Sequence, residues 1–496
     1  MILACRPHVA TITVRMRPMF RTAVFVVAAL AILSSSIRTD AASGQPPNIL
    51  FIIADDQSYE TVGALGHQAI ETPSLDRLVK EGITFTHAYN QGSWTGAVCV
   101  ASRTMLNTGR FLWQAHRLHR GKDQDRFAGL LWSDLLRSAG YTTYMTGKWH
   151  IEARAEKAFD HVANVRGGMP DQTNVGYHRP VDGQGEPWKP WDTSLGGYWK
   201  GGRHWSEIVA DDATSFLKIA EKADEPFFMY VAFNAPHDPR QSPKEYVQKY
   251  PRSEIAVPAN FLPRYPFHDK IGCGPTLRDE SLAPFPRTEH AVRVHRQEYF
   301  AIISHMDTQI GRILDALQES GKADHTYVFF TADHGLAVGH HGLLGKQNLY
   351  DHSVRVPFLV TGPGVTKGKK VRTPIYMQDV MPTTLELGGL EVPDDVQFRS
   401  VLPMIRGKTD RSHYEAIYGA YLDLQRSVCW GDYKLIRYPK IEKTRLYNLK
   451  DDPEEMNDLA DRPESEPIID QLLEELATLQ KETDDPLSPI VAATVD

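Results

Sequence analysis

An α/β fold is predicted by this sequence: one large mixed sheet flanked by helices, followed by a smaller C-terminal subdomain of antiparallel strands plus a helix. Three observations predict it. Four short runs read as strands, the first of them continuously apolar as a strand buried on both faces should be, and each stops at residues able to hold a metal or move a proton. One long stretch before the fourth run carries apolar residues at helical spacing. Beyond about residue 412 the pattern changes to closely spaced strand-like runs and an amphipathic terminal stretch. With 496 residues, 42% of them hydrophobic, the chain is long enough for a sizeable core. Its net charge of −7 provides no overall basic field, so no nucleic-acid partner is expected.

The elements follow in chain order. Residues 1–42 read as a signal peptide. Arg6, Arg15, Arg17 and Arg21 precede the apolar core Ala23–Leu33, and the small residues Ala41-Ala42-Ser43 follow. The apolar core is too short to span a bilayer comfortably, so the expectation is an exported protein, periplasmic or secreted, with no membrane attachment after cleavage. A large α/β domain is expected over 46–400. Its first strand, Asn48–Ala54, ends at Asp55-Asp56. The second, Tyr141–Thr146, leads into Gly147-Lys148-Trp149-His150. The third, Phe227–Phe233, leads into Asn234-Ala235-Pro236-His237-Asp238. The fourth, Thr326–Thr331, leads into Ala332-Asp333-His334-Gly335. A helix is expected over His295–Ser320, with His305 as surface or core filler. Gly167–Gly202 and Pro239–Pro286 lack periodicity and read as long functional loops. Trp188, Trp191 and Trp199 in the first of them either stack on a sugar ring or pack locally. The subdomain 412–496 has strands at Val428–Ile436 and Thr444–Leu449, a turn at Asp451–Glu455 and a helix at Ile468–Leu479.

In open α/β sheets, ligands sit beyond the carboxyl ends of the strands. Runs that deliver Asp-Asp, Lys and His, His, and Asp-His to such ends build one site from distant sequence. Taken singly, each of these groups is an ordinary turn or helix cap.

One further run decides between these readings. Cys99-Val100-Ala101-Ser102-Arg103 is followed by Leu106, Thr108 and Gly109. It resembles the signature of the formylglycine-dependent sulfatases of the alkaline-phosphatase-like superfamily, which include arylsulfatases, choline sulfatases and iduronate-sulfatase-like members. Ala101 stands where proline is commoner. Leu446-Tyr447-Asn448-Leu449 and Asn457-Asp458-Leu459-Ala460 resemble the C-terminal subdomain of the same family.

The resemblance implies a sulfate-monoester hydrolase acting on aryl sulfates, choline sulfate or sulfated sugars, and the export signal and Trp-rich loop favour the sugars. It implies that a formylglycine-generating enzyme oxidises Cys99 to an aldehyde. Hydrated, the aldehyde presents one hydroxyl to attack sulfur and a second whose deprotonation expels sulfate. Asp55, Asp56, Asp333, His334 and modified Cys99 fall on the metal positions. Ca²⁺ is the family's usual ion; His334 stands where many members carry Asn, which leaves Mg²⁺ or Mn²⁺ open. Arg103 is implied to hold the diol, Lys148 and Lys346 the sulfate oxygens, His150 to be the base and His237 the acid. Two alternatives stay open: a phosphonate or phosphodiester hydrolase on the same fold, and a carbohydrate-binding protein whose Cys99 is never converted. Arg240, three residues past His237, is a candidate for the substrate rim, with pairing to Asp238 or Glu245 as the alternative. Cys273 and Cys429 either form one disulfide or remain two thiols.

Overall fold

Asn48–Ala54 form β1, and all seven residues are buried. Such a run has no solvent face, so it needs hydrogen-bonded strands on both sides and helices above and below. Both neighbours are present and parallel: Leu50 lies opposite Met229 on one side and Val328 on the other. The computed structural model describes residues 45–487 except 68, 124, 171–173 and 182–184. The expected signal peptide, 1–42, lies outside the described residues.

Seven more strands complete the main sheet. They are β2 (Ile83–Phe85), β3 (Thr142–Lys148), β4 (His161–Arg166), β5 (Phe227–Ala232), β6 (Thr326–Ala332), β7 (Phe358–Thr361) and β8 (Lys369–Val371). The order is β8-β2-β7-β6-β1-β5-β3-β4. The five strands from β6 to β4 run parallel. β7 is antiparallel to β6, so the sheet is mixed. Trp132 fills the core over β1 and β5, with its ring centroid 4.9 Å from Phe51 and 4.7 Å from Phe228. Its indole N–H donates to Thr384 Oγ1 at 2.7 Å, so the buried ring leaves no unpaired donor.

Six helices matter for the site and its support: α1 (Pro73–Glu81), α2 (Val98–Thr108), α3 (Leu112–His119), α4 (Trp205–Ala220), α5 (Glu289–Glu319) and α6 (Glu466–Glu482). α5 starts six residues before the expected His295. Thr288 caps it by accepting from the Ala291 N–H at 3.1 Å. The polar residues His295, Arg296, Gln297 and Glu298 interrupt the apolar pattern, yet all four are buried. Glu298 is there because Arg179 donates to it at 2.8 Å. His305 is core filler, 2% exposed and edge-on to His204 at 4.5 Å.

The expected strand over 428–436 is two strands. Gly431, at φ 57°, turns the chain between β10 (Gln425–Trp430) and β11 (Tyr433–Tyr438). β9 (Ala416–Tyr421) precedes them and β12 (Lys443–Asn448) follows. This antiparallel sheet takes a fifth member from far upstream, Gly92–Ser93, parallel to β9. A Cβ on Gly92 would lie 2.0 Å from Ala420 O, so only glycine fits there. The C-terminal sheet is thereby stitched to the segment that leads into α2, and all described residues after Gln45 fall in one compact unit.

Within the irregular segments, Trp188 is buried under Arg179, and Trp199 donates to Pro190 O at 3.1 Å. Trp191 packs on the cluster around Tyr250 and Phe300. These rings pack locally. Cys273 and Cys429 are separate free thiols. No helix among the described residues is long and apolar enough to cross a membrane.

Candidate active site

Because β1, β3, β5 and β6 are parallel, their carboxyl ends share one edge of the sheet. Asp55 follows β1, Lys148 ends β3, Asn234–Asp238 follow β5, and Asp333 follows β6. Backbone bonds tie these ends together. The Asp55 N–H donates to Ala235 O at 3.0 Å and the Asp333 N–H to Ala54 O at 3.2 Å. Asp56 adopts φ 72°, which turns its N–H onto Asp333 Oδ1 at 3.2 Å. Its carbonyl accepts from Tyr299 OH at 2.7 Å.

α2 supplies the rest. Cys99 is its second residue, where helix N–H groups lack partners and favour negative charge. Arg103 lies one turn on, on the same face. The remaining signature residues build the helix. Leu106 is fully buried, the Thr108 hydroxyl donates to Thr104 O at 2.7 Å, and Gly109 at φ 66° caps the C-terminus.

Cys99 Sγ lies 3.2 Å from Asp55 Oδ1, 3.7 Å from Asp56 Oδ1 and 3.1 Å from Lys346 Nζ. Lys148 Nζ pairs with Asp55 Oδ2 and Lys346 Nζ with Asp56 Oδ2, each at 2.5 Å. Arg103 Nε donates to Asp333 Oδ2 at 2.8 Å and its Nη1 to Lys148 O at 2.7 Å. Three carboxylates thus face three cations, all nearly free of solvent. His237 Nε2 is 3.6 Å from Asp56 Oδ2 and 3.4 Å from Arg278 Nη2, while Nδ1 is 2.8 Å from Asp238 O. His150, at φ 56°, lies against Gly168, where a Cβ would sit 2.5 Å from its Cε1. Arg103 Nη2 and His150 Nδ1 are buried without a hydrogen-bond partner among the described residues.

Burial dominates the electrostatics. It pushes Asp56 up to about 8 and Asp55 upward too, against the pull of Lys346 and Lys148 respectively. Burial also raises Asp333, but Arg103, Lys148 and Lys346 together outweigh it and hold that carboxyl below the usual range. Cys99 is pushed well above the ordinary thiol by burial, Asp333 and Asp55. Burial and then Lys148 lower His150 to about 2, and burial and then Lys346 hold His237 neutral.

Asp55, Asp56, Cys99 and His237 offer ligand atoms that all lie within 4.8 Å of one another. The expected metal set overlaps this group in Asp55, Asp56 and Cys99. Asp333 joins it through Arg103 and the Asp56 amide. His334 follows in the chain, with Nδ1 3.1 Å from Gly335 O. Clustered carboxylates that resist ionisation fit a hard divalent cation, whose charge would reverse that cost. The unpartnered Arg103 Nη2 and His150 Nδ1 fit an oxygen-bearing group grown from Cys99.

Arg240 is not on a rim. It is 2% exposed, with Nη1 3.3 Å from His295 Nδ1 and its guanidinium over the Tyr299 ring. Chain distance from His237 misled here, because 233–242 is buried throughout. Sequence reasoning missed Arg278, Asp279, Asn90 and Tyr299. Asn90 Nδ2 donates to Asp333 O at 2.5 Å, and Asp279 accepts from Gln347 Nε2 at 2.8 Å. None of the four carried a signal of its own; Asp279 was reachable only through Gln347, the neighbour of Lys346.

Residues 47–390 match the family model described as Sulfatase. The chain belongs to the sulfatase family. Residues 339–482 also match the model described as N-sulphoglucosamine sulphohydrolase, C-terminal. An N-acetylglucosamine-6-O-sulfatase of Bacteroides thetaiotaomicron is 26% identical, over 88% of this chain and 87% of its own. A solved structure in complex with its substrate, D-glucosamine-2-N,6-O-disulfate, has a TM-score of 0.68 and 23% identity, covering 89% and 99% of the two chains. A phosphonate monoester hydrolase from Silicibacter pomeroyi has a TM-score of 0.71 at 19% identity, covering 89% and 96%. This sulfatase is a sulfuric ester hydrolase on an alkaline-phosphatase-like fold.

Proposed function

We propose that this sulfatase removes sulfate from sugar O-sulfates, with Cys99 as formylglycine and a calcium-type cation on Asp55, Asp56 and Asp333. The observation that carries this reading is the Cys99 side chain within 3.1–3.7 Å of Lys346, Asp55 and Asp56 in a site almost closed to water. Formylglycine supplies a hydrated aldehyde as nucleophile, and the cation supplies charge neutralisation for the sulfate. The chain's own residues do the rest. Arg103, fixed by Asp333, donates through Nη2 to a hydroxyl oxygen at position 99. Lys148 and Lys346 exchange part of their pairing with Asp55 and Asp56 for the sulfate oxygens. His150, held neutral, accepts the proton of the second hydroxyl. His237 takes up a proton as the anionic ester enters, and returns it to the leaving alcohol together with Lys346.

The sugar substrate is supported by the named relative and by the ligand of the disulfate complex, and by the family itself. The test combines a mass spectrum of the Cys99 peptide with hydrolysis of glucosamine 6-O-sulfate, an aryl sulfate and an aryl phosphonate. Formylglycine with preference for the sulfates is expected. An unconverted thiol in protein from the native host favours a carbohydrate-binding role, and preference for the phosphonate favours the alternative hydrolase. Exhaustive chelation, checked by elemental analysis, is expected to abolish turnover, and Ca²⁺ at about 100 times its Kd to add about 2.7 kcal/mol of stability.

A further inference from the structure

Ala97 and Val100, on either side of Cys99, face a cavity of about 680 Å³. Trp149 and His150, next to Lys148, form another part of its wall. The volume suits a mono- or disaccharide. Its charge is one-sided: Arg120 and Arg166 line it against Glu152 alone, and His116, His119 and His150 add imidazoles whose charged form burial disfavours. A second hollow, of about 710 Å³, lies on the other side of Ile151-Glu152 and holds none of the site residues.

Arg166 is the unusual member. It ends β4 and stands opposite Lys148 in the parallel ladder, so the strand that delivers a sulfate-binding lysine delivers this arginine to the same edge. The Trp149 N–H donates to its carbonyl at 3.0 Å, which fixes the register. Its side chain is buried to 8% exposure, and its guanidinium lies 4.0 Å over the Trp205 ring. Nε and Nη2 have no hydrogen-bond partner among the described residues. A buried guanidinium with unused donors is poised for a planar oxyanion, which it can hold with two parallel bonds. Across the same cavity Trp94 stacks on His116, with centroids 5.1 Å apart and planes 9° apart.

We propose that this cavity holds the sugar of the ester, and that Arg166, with Arg120 at the mouth, binds a second anionic group on it, a sulfate or a carboxylate. The preferred substrates are then doubly anionic sugar sulfates. This rests on the reading of Cys99 as the sulfate-attacking residue.

The test compares wild type, Arg166→Gln and Arg120→Ala on four sulfates: D-glucosamine-2-N,6-O-disulfate, D-glucosamine 6-O-sulfate, a 2-O-sulfated uronic acid and 4-nitrophenyl sulfate. Arg166→Gln is expected to lower kcat/KM about 10- to 100-fold on the doubly anionic sugar that wild type prefers, and less than about threefold on 4-nitrophenyl sulfate. Whether the disulfate or the uronate suffers tells which anion is read. Arg120 is exposed, so Arg120→Ala folds normally, and a smaller loss of the same selectivity is expected. Equal losses on all four sulfates, or none, overturn the proposal. If wild type cleaves no sulfate at all, the reading of Cys99 fails instead. The cavity is then judged by titrating tryptophan fluorescence with D-glucosamine 2-N-sulfate. Saturable binding that Arg166→Gln abolishes supports it, and no binding by wild type overturns it.

Discussion

Cys99 is buried, and its thiol is held protonated by burial, Asp333 and Asp55. A reactive cysteine normally sits where its thiolate is favoured, so this thiol is a poor nucleophile as it stands, and the proposed conversion to an aldehyde would give it a chemistry that burial does not suppress. Cys99→Ser removes the aldehyde route but keeps the volume. Turnover of an aryl sulfate is expected to fall about a hundredfold or more with an unchanged Tm, because an alkoxide has no second hydroxyl to expel sulfate. Wild-type turnover in that variant would exclude the diol route. Arg103 shows the cost of the charges around it. Breaking its fully buried pair with Asp333 by Arg103→Ala is expected to cost about 3–5 kcal/mol in denaturant unfolding. Arg117, paired with Asp484 across exposed side chains, should lose less than about 1 kcal/mol on the same change. Similar costs for the two would contradict the burial argument.

At the scale of elements, the sheet edge depends on how β3 ends. Gly147 sits at φ 89°, and a Cβ there would lie 1.8 Å from Ala232 O on β5. The β3–β4 register shifts between Thr146 and Gly147, so the glycine accommodates the irregularity that leaves Lys148 aimed at Asp55. Gly147→Ala is expected to cost about 2–4 kcal/mol and to lower kcat even at temperatures where the variant is folded. Wild-type kcat and unfolding midpoint together would show that β3 tolerates a side chain there. β1 was legible in full, because the apolar run after Asn48 is too short for a helix and Asp55-Asp56 mark its end. The start of α5 was not legible, because Arg179 and other distant partners make its polar first turns buried. The C-terminal run 428–436 read as one strand because apolar periodicity does not register a two-residue turn.

At the scale of the molecule, a second buried knot joins the C-terminal sheet to the catalytic part. Lys434 donates to Asp351 and Glu455 at 2.6 and 2.8 Å, beside His341 and His352. Burial, His340 and Lys434 lower His341 to about 3, and burial and His340 hold His352 well below its usual range. In the unfolded chain both titrate near pH 6.5. Between about pH 6.5 and 3 the unfolded state binds protons that the folded state refuses, so stability is full above 6.5 and is lost as pH falls. Each such histidine removes about 1.4 kcal/mol per pH unit in that window. His341→Gln is therefore expected to make the fall of Tm between pH 6.5 and 4 shallower. An unchanged slope would mean that another group carries the acid sensitivity.

The sequence by itself determined the strands that end at the site and the chemistry they carry. Asp55, Asp56, Lys148, His237 and Asp333 each follow or end a strand-like run, and the Cys99 signature lies on a helix that Gly109 stops. These are local properties, set by hydrophobic burial and helix capping within a few residues. Only the tertiary structure decided which of these groups touch. Lys148 pairs with Asp55 and Arg103 with Asp333 because parallel strands share one edge, and a periodic pattern contains no register between strands. It also moved Arg240 into the interior and brought Arg166 beside Lys148, since the sheet places residues 18 apart in the chain on neighbouring strands while residues three apart in a buried loop point elsewhere.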